Sequence, residues 1–150
     1  MKNNKVAILG KLQTKFKAPF DDKSFDIWTL NFHKDYDKLP RIDLLFDIHE
    51  KNFNPKADIK RTNYPFEEAE MLLGGNYFNN SISYMIAFAI LKGYKEIVLY
   101  GMRFLGNEPK RTAEYQNVRE LIFFAKGMGI KIYAPEDKIM LKEYEYYGRV

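Results

Sequence analysis

Five short apolar runs, separated by helical or irregular stretches, constrain the fold of this chain more than any other feature. They are Lys5–Leu9, Phe25–Asn31, Ile42–His49, Glu96–Tyr100 and Ile130–Ala134. Each has the length of a strand and carries β-branched or aromatic residues. Gly10, Gly101 and Pro135 stop three of them, as residues that leave a sheet should. The stretch Ser81–Lys92 has Ile82, Met85, Ile86, Phe88, Ala89 and Ile90 and ends at Gly93, which predicts a helix with a glycine stop. Arg111–Lys126 carries Val118, Leu121, Ile122 and Ala125 at helical spacing. A shorter helix is expected from Pro65 through Leu73, since proline and the acids Glu67 and Glu68 suit a first turn. Asp137–Tyr147 reads as a terminal helix, Glu50–Thr62 as irregular chain, and Gly74–Asn80 as a Gly/Asn-rich loop.

Strands that alternate with helices and read as nearly continuous apolar runs predict a mostly parallel sheet. The expectation is one α/β domain over residues 1–150. It is a Rossmann-like open sheet of five strands, order 3-2-1-4-5, with helices on both faces. In that order the chain reverses between its first and fourth strands. Ligands of open α/β sheets collect there, beyond the carboxyl ends of the strands. The rule selects the loops that start at Gly10, Asn31, His49, Gly101 and Pro135, and the helix start at Asn80-Ser81.

Composition removes several classes of function. A chain of 150 residues, 46% hydrophobic, is long enough to bury a core without staples. With no cysteine there is no disulfide framework, thiolate nucleophile or cysteine-based metal site. The apolar start, Val6 to Leu9, is too short for a signal peptide or a membrane span, and no later run reaches the length of a span. A soluble, cytoplasmic protein without membrane contact is therefore expected. The net charge of +4 favours an anionic partner, but basic and acidic residues are interspersed. Nucleic-acid binding, which wants a broad basic face, ranks low. Lys11, Lys15 and Lys17 form the densest basic cluster, and they read either as a solvated loop or as an attractor of phosphate. Nothing in the pattern excludes a homo-oligomer.

Several residues along the selected edge can carry chemistry. Asn80 or Ser81 is a natural N-cap, and the helix start behind it offers free N–H groups and a positive dipole end to an anion. The alternative is a cap that only stabilises the helix. Gly10 either ends its strand or lets a ligand come close. The sequence Gly10-Lys11-Leu12-Gln13-Thr14 fits neither the dinucleotide fingerprint nor a phosphate loop of triphosphatases, so no dinucleotide cofactor is expected. His49, at the end of its strand, can act as an acid or base near neutral pH or as a neutral donor. His33 reads as an exposed loop residue. Two separated histidines give no convincing metal site. Beyond Gly101, Arg103 can clamp a phosphate or carboxylate. Glu114 can hold a ribose diol, act as a base, or answer the helix dipole as a first-turn acid, and Tyr115 follows it in the same segment. Trp28, inside a strand, reads as core.

Residues 81–104, from Ser-Ile-Ser-Tyr-Met-Ile through Gly-Tyr-Lys-Glu-Ile to Gly-Met-Arg-Phe, resemble a segment of the Rossmann-like bacterial sialyltransferases. They are also similar to domains related to the archaeal pterin pyrophosphokinase. Gly129–Pro135 looks like the closing strand of those families. Over nearly the whole chain the sequence more closely resembles a family of small bacteriophage proteins. The matching pieces are Ile-Leu-Gly (8–10), Ala-Pro-Phe-Asp-Asp (18–22), Ile-Trp-x-Leu-Asn (27–31), Phe-x-x-His (46–49), Tyr-Phe-x-x-Ser (77–81) and Glu-Tyr-Gln (114–116). Two places depart from the sialyltransferases. Their Gly-Asn-Gly-Pro-Ser type loop is replaced by Gly10–Thr14, and their aspartate after the fourth strand by Arg103. Both differences argue against transfer from a cytidine-linked sugar and leave a nucleotide-like ligand in place. A phage origin would put the protein in the host cytoplasm.

The resulting expectation is a protein that binds a nucleotide or nucleotide-derived small molecule at the switch point and that, in a catalytic form, performs metal-independent group transfer or cleavage. Gly10 and Ser81 would contact phosphate, and Asn31 and Glu114 the base or ribose. His49 would be the acid/base, with Glu114 the second catalytic candidate, and Lys11, Asn80, Gly101, Arg103 and Tyr115 are further candidates for binding the ligand. The alternatives are a non-catalytic phage protein that sequesters a nucleotide signal of host defence, and a purely structural or protein-binding domain.

Overall fold

A computed structural model of the chain describes residues 3–31, 35–51, 54–102, 109–136 and 141–148, with backbone only at 109 and 110. One open sheet runs through it. Its strands are β1 (Lys5–Leu9), β2 (Phe25–Leu30), β3 (Leu44–Asp47), β4 (Ile59–Lys60), β5 (Glu96–Tyr100) and β6 (Lys131–Tyr133). They lie in the order β4-β3-β2-β1-β5-β6, and every neighbouring pair is parallel. The sheet thus has six strands where five were expected. The addition is the two-residue edge strand β4, inside the stretch read as irregular. No periodicity marks so short a strand. Local polar bonds set it instead: the Leu45 N–H donates to Asp58 Oδ2 at 2.8 Å, and the Lys60 N–H to Asn63 Oδ1 at 2.6 Å.

Three helices accompany the sheet: α1 (Phe66–Leu73), α2 (Ser81–Leu91) and α3 (Pro109–Gly127). The alternation of side chains along a strand splits the buried residues into two groups. Val6, Ile8, Trp28, Leu30, Phe46, Ile97 and Leu99 face one way, into the same core as Ala69 of α1, Met85 and Ile86 of α2, and Leu121 and Ile122 of α3. Ala7, Leu9, Phe25, Ile27 and Val98 face the other way and meet Ala18, Leu39, Phe20 and Ile42.

Helices on both faces were expected, and the described residues correct this: all three helices join the first core. Short 3-10 turns, Gln13–Lys17 and Tyr36–Lys38, with the chain around them, cover the second face. The reason lies in the connections. From β1 the chain steps outward through β2 and β3, then crosses to β5 and β6. Right-handed crossovers place the two sets of connections on opposite sides. The outward connections contain Pro19 and Pro40 and have no apolar stripe of helical period, so among the described residues no α-helix forms on their side.

Helix α2 is the central helix. It is apolar nearly all round because α1, α3 and β1 enclose it. Trp28 lies under it, with ring centroids 5.3 Å from Phe46, 5.5 Å from Phe88 and 5.0 Å from Tyr94. The expected terminal helix, Asp137–Tyr147, is not seen in its described part: residues 141–148 are turns and irregular chain. Glu143 to Tyr146 alternate acid and tyrosine, and Tyr144, Tyr146 and Tyr147 are exposed, so no apolar stripe docks the segment as a helix. Among the described residues no helix is long and apolar enough to cross a membrane.

Candidate functional site

The carboxyl ends of β1 and β5 meet at two glycines, and a cleft of about 520 Å³ opens above them. The Gly10 N–H donates to the Tyr100 carbonyl at 2.8 Å, and the Leu12 N–H to the Gly101 carbonyl at 3.0 Å. A Cβ on Gly10 would sit 2.4 Å from the Gly101 oxygen. Gly101 itself has φ +68, a conformation glycine adopts freely. The two glycines therefore require each other. Gly10 ends its strand and also lets a backbone come close, and the backbone is that of Gly101. Both line the cleft floor.

The start of α2 forms one wall. Asn80 is the N-cap, extended at φ −158 and ψ 162, and its Oδ1 accepts the Ser83 N–H at 3.0 Å. Its amide nitrogen donates to Ser83 Oγ and to Asn79 Oδ1, both at 2.9 Å. The Asn80 side chain is thus committed to the helix. The N–H groups of Ser81 and Ile82 have no acceptor among the described residues, and both residues line the cleft. Asn117 anchors the loop before the cap: its amide donates to the Tyr77 carbonyl at 2.6 Å, and its Oδ1 accepts the Asn79 N–H at 3.0 Å. Sequence reasoning missed Asn117. The signal was a polar residue beside Val118 on the buried stripe of α3.

The second wall is aromatic. Phe66 and Tyr84 line the cleft, with Tyr84 stacked on Phe78 at 4.6 Å and edge-on to Phe66 at 5.4 Å. Leu30, Ile48, Ile82 and Met102 add apolar surface. Among the described residues, three cations, Lys11, Arg61 and Arg111, line the same space against one carboxylate, Glu114. Arg111 Nη1 lies 3.3 Å from Glu114 Oε2. Because α3 begins at Pro109, Glu114 is past the first turn, which corrects its reading as a first-turn acid. Arg61 and Arg111 escaped the sequence reading, since neither ends a strand nor opens a recognisable motif.

His49 lines the cleft as well, and a carboxylate holds it. Its Nδ1 is 2.6 Å from Asp47 Oδ1. Asp47 is buried, with Oδ2 accepting the Asn54 N–H at 2.7 Å and the Asn31 amide at 3.2 Å. Burial acts to raise the Asp47 pKa, but the hydrogen bonds from the Asn54 N–H, the His49 ring and N–H, and the Asn31 amide outweigh it, so the group lies below the ordinary carboxylate value.

Of the residues expected at the site, Gly10, Lys11, His49, Asn80, Ser81, Gly101 and Glu114 come together around the cleft. Asn31 does not line it and instead supports Asp47. Tyr115 does not line it either: it packs partly buried against the core, 5.9 Å from the Arg119 guanidinium. Arg103 and His33 lie outside the described residues. The lysine cluster separates. Lys15 is fully buried, bonded to Asp35 Oδ1 at 2.7 Å and to the Lys11 carbonyl at 2.8 Å, and Lys17 pairs with Glu136 at 3.2 Å. Neither the solvated-loop reading nor the phosphate reading describes Lys15. Among the described residues no three His, Asp or Glu side chains gather as metal ligands would. No family model, curated protein or solved structure matches the chain.

Proposed function

We propose that the cleft binds a nucleotide or nucleotide-derived small molecule and that the fold is Rossmann-like. One observation carries the reading. Two unbonded N–H groups at the start of α2 and three cationic side chains share a single cleft with an aromatic wall. Helix start and cations suit phosphate. The Phe66–Tyr84 wall suits a planar base, and Glu114 suits a ribose hydroxyl. The volume falls within the range of small-molecule sites, and the position is the switch point where ligands of open α/β sheets collect. The resemblance to phage proteins and to nucleotide-using Rossmann-like enzymes supports the same reading, and with a phage origin the protein would act in the host cytoplasm.

The paired His49 favours chemistry over passive binding. In this reading His49 is the acid/base of a metal-independent group transfer or cleavage. The positive balance of the cleft favours the other reading, sequestration of a nucleotide signal of host defence. Calorimetry with ADP, followed by co-crystals, tests the shared part: the phosphates are expected at Ser81 and Ile82, above Gly10. An anion bound only at the amino-terminal edge of the sheet would refute it. His49→Asn then separates the two. Turnover falls roughly 10²–10⁴-fold if the protein is an enzyme, whereas only affinity moves if it sequesters. Binding or turnover abolished by chelator and restored by one divalent ion would overturn the metal-independent form.

A further inference from the structure

We infer that Asp47 fixes the tautomer and orientation of His49, so that Nε2 is the ring atom that exchanges protons with a ligand in the cleft. The inference rests on the nucleotide-cleft reading. Asp47 closes β3, its side chain is only 3% exposed, and His49 two residues on is 40% exposed. Successive residues of a strand alternate, so Asp47 and His49 leave the sheet on the same side. Four donors converge on the carboxylate. Oδ1 receives the His49 N–H at 3.3 Å and the ring at Nδ1, 2.6 Å away. Oδ2 receives the Asn54 N–H and the Asn31 amide.

The asparagines are themselves held in place. Asn54 Nδ2 donates to Asn31 Oδ1 at 2.7 Å and to the Tyr36 hydroxyl oxygen at 3.1 Å. A carboxylate surrounded by donors has no use for a proton of its own. The hydrogen between Oδ1 and the ring therefore belongs to Nδ1. Neutral His49 then carries its lone pair on Nε2.

A turn at a strand end needs only the backbone bond from His49 to Asp47. The shorter ring bond is additional, and it spends a buried carboxylate on a half-exposed imidazole. That arrangement orients a proton acceptor, as carboxylates behind catalytic histidines do. In the forward step Nε2 takes the proton of a water or ligand hydroxyl. That oxygen bonds to the electrophilic centre, and the bond to the leaving oxygen breaks with its electron pair. The imidazolium then returns the proton to the leaving oxygen, and Asp47 stays a carboxylate throughout. Among the described residues, the other charged groups around the cleft are Lys11, Arg61, Arg111 and Glu114, with Glu50 and Lys51 next along the chain.

Two-bond proton–nitrogen correlation spectra of the ¹⁵N-labelled full chain, recorded at alkaline pH so that the rings are neutral, test this. There are only two histidines, and His33→Asn assigns the signals. Wild-type His49 is expected in the Nδ1–H form. Asp47→Asn should shift the tautomer ratio toward Nε2–H by roughly tenfold or more, the effect of one charge-assisted hydrogen bond. An Nε2–H ring in the wild type overturns the inference without any variant having to fold, and so does a ratio that Asp47→Asn leaves unchanged. Calorimetry with ADP on the same wild-type sample keeps the two readings apart. An Nδ1–H ring without ADP binding supports the role of Asp47 and defeats the nucleotide reading.

Discussion

The two faces of the sheet are covered by different means. On one face, three α-helices lay apolar stripes against Val6, Ile8, Trp28, Phe46 and Leu99, and aromatic rings fill the space between. On the other, irregular chain covers a smaller cluster built on Ala7, Leu9, Ile27 and Val98. A helix satisfies its own backbone. Irregular chain does not, so the second face recruits polar side chains to do it. Arg41 donates to the carbonyls of Phe20, Phe25 and Asp22 at 3.1–3.2 Å. Asp43 accepts the Ile27 N–H at 2.7 Å, and buried Lys15 donates to the Lys11 carbonyl. One face depends on packing volume and the other on directed polar bonds. The cleft lies where they meet: its helix start and aromatic wall belong to the first face, and the Asp47 network that holds His49 to the second.

The largest expected effect falls on the packed face. Trp28 is fully buried, and Trp28→Ala should destabilise the protein by about 3–5 kcal/mol in urea denaturation. Trp28 also has the one buried polar side-chain atom without a partner among the described residues, the indole Nε1. Trp28→Phe removes that atom and keeps most of the volume, so its loss should stay below about 1.5 kcal/mol. If both variants lost the same stability, volume would not be what holds this face. The next effect tests the polar face. Lys15→Met keeps the stem and removes the charge that faces Asp35. A fully buried pair broken on one side loses about 3–5 kcal/mol. Asp35 is 19% exposed, which lowers the expectation to about 2–3 kcal/mol. Adding Asp35→Asn should recover much of it, because the stranded charge is then gone. A double variant as unstable as the single one would mean that the Asp35 charge is not the source of the loss.

The packed face was far more legible in the sequence than the polar one. Periodicity reveals a helix stripe or a strand run, and it marked β1, β5, α2 and most of α3 closely. The bonds of Arg41, Asp43 and Lys15 join residues with no shared period, so nothing in the local pattern announced them. The same division runs through the cleft. Gly10, Gly101, Ser81 and His49 were found because they end strands or begin a helix at the switch point. Arg61 and Arg111 arrive from elements whose distance from the cleft only the fold decides. Asp47 lay within reach, since Asp-Ile-His at a strand end puts both polar side chains on one side. It was passed over because an acid inside an apolar run reads as the solvent side of a strand.

The smallest effect separates the faces by pH. On the polar face Asp47 has a pKa below the ordinary carboxylate value: burial pushes it up, and the bonds from Asn54, His49 and Asn31 more than offset that. A carboxylate depressed in the fold contributes stability that is complete above its unfolded value. That stability is lost as pH falls through the lower, folded value. On the packed face Tyr64 and Tyr94 are raised far above 10, Tyr64 by burial and then by Tyr84, Tyr94 by burial and then by its hydrogen bond to Asp26. A raised phenol works in the opposite sense. Its contribution is complete below about 10 and is lost as pH climbs through the folded value, because the unfolded chain releases its proton first. Acid below about pH 4 should therefore loosen the polar face, and alkali above about pH 10 the packed one. Denaturation midpoints measured across both limits read the two separately. Asp47→Asn should flatten the acid limb and leave the alkaline limb alone, and Tyr94→Phe should do the reverse. Some acid slope will remain in Asp47→Asn, since Asp22 is also lowered, first by its side-chain bond to Ser24. If Asp47→Asn left the acid limb as steep as before, the carboxylate would not be held ionised by its donors. The polar face would then lose the anchor on which the orientation of His49 depends.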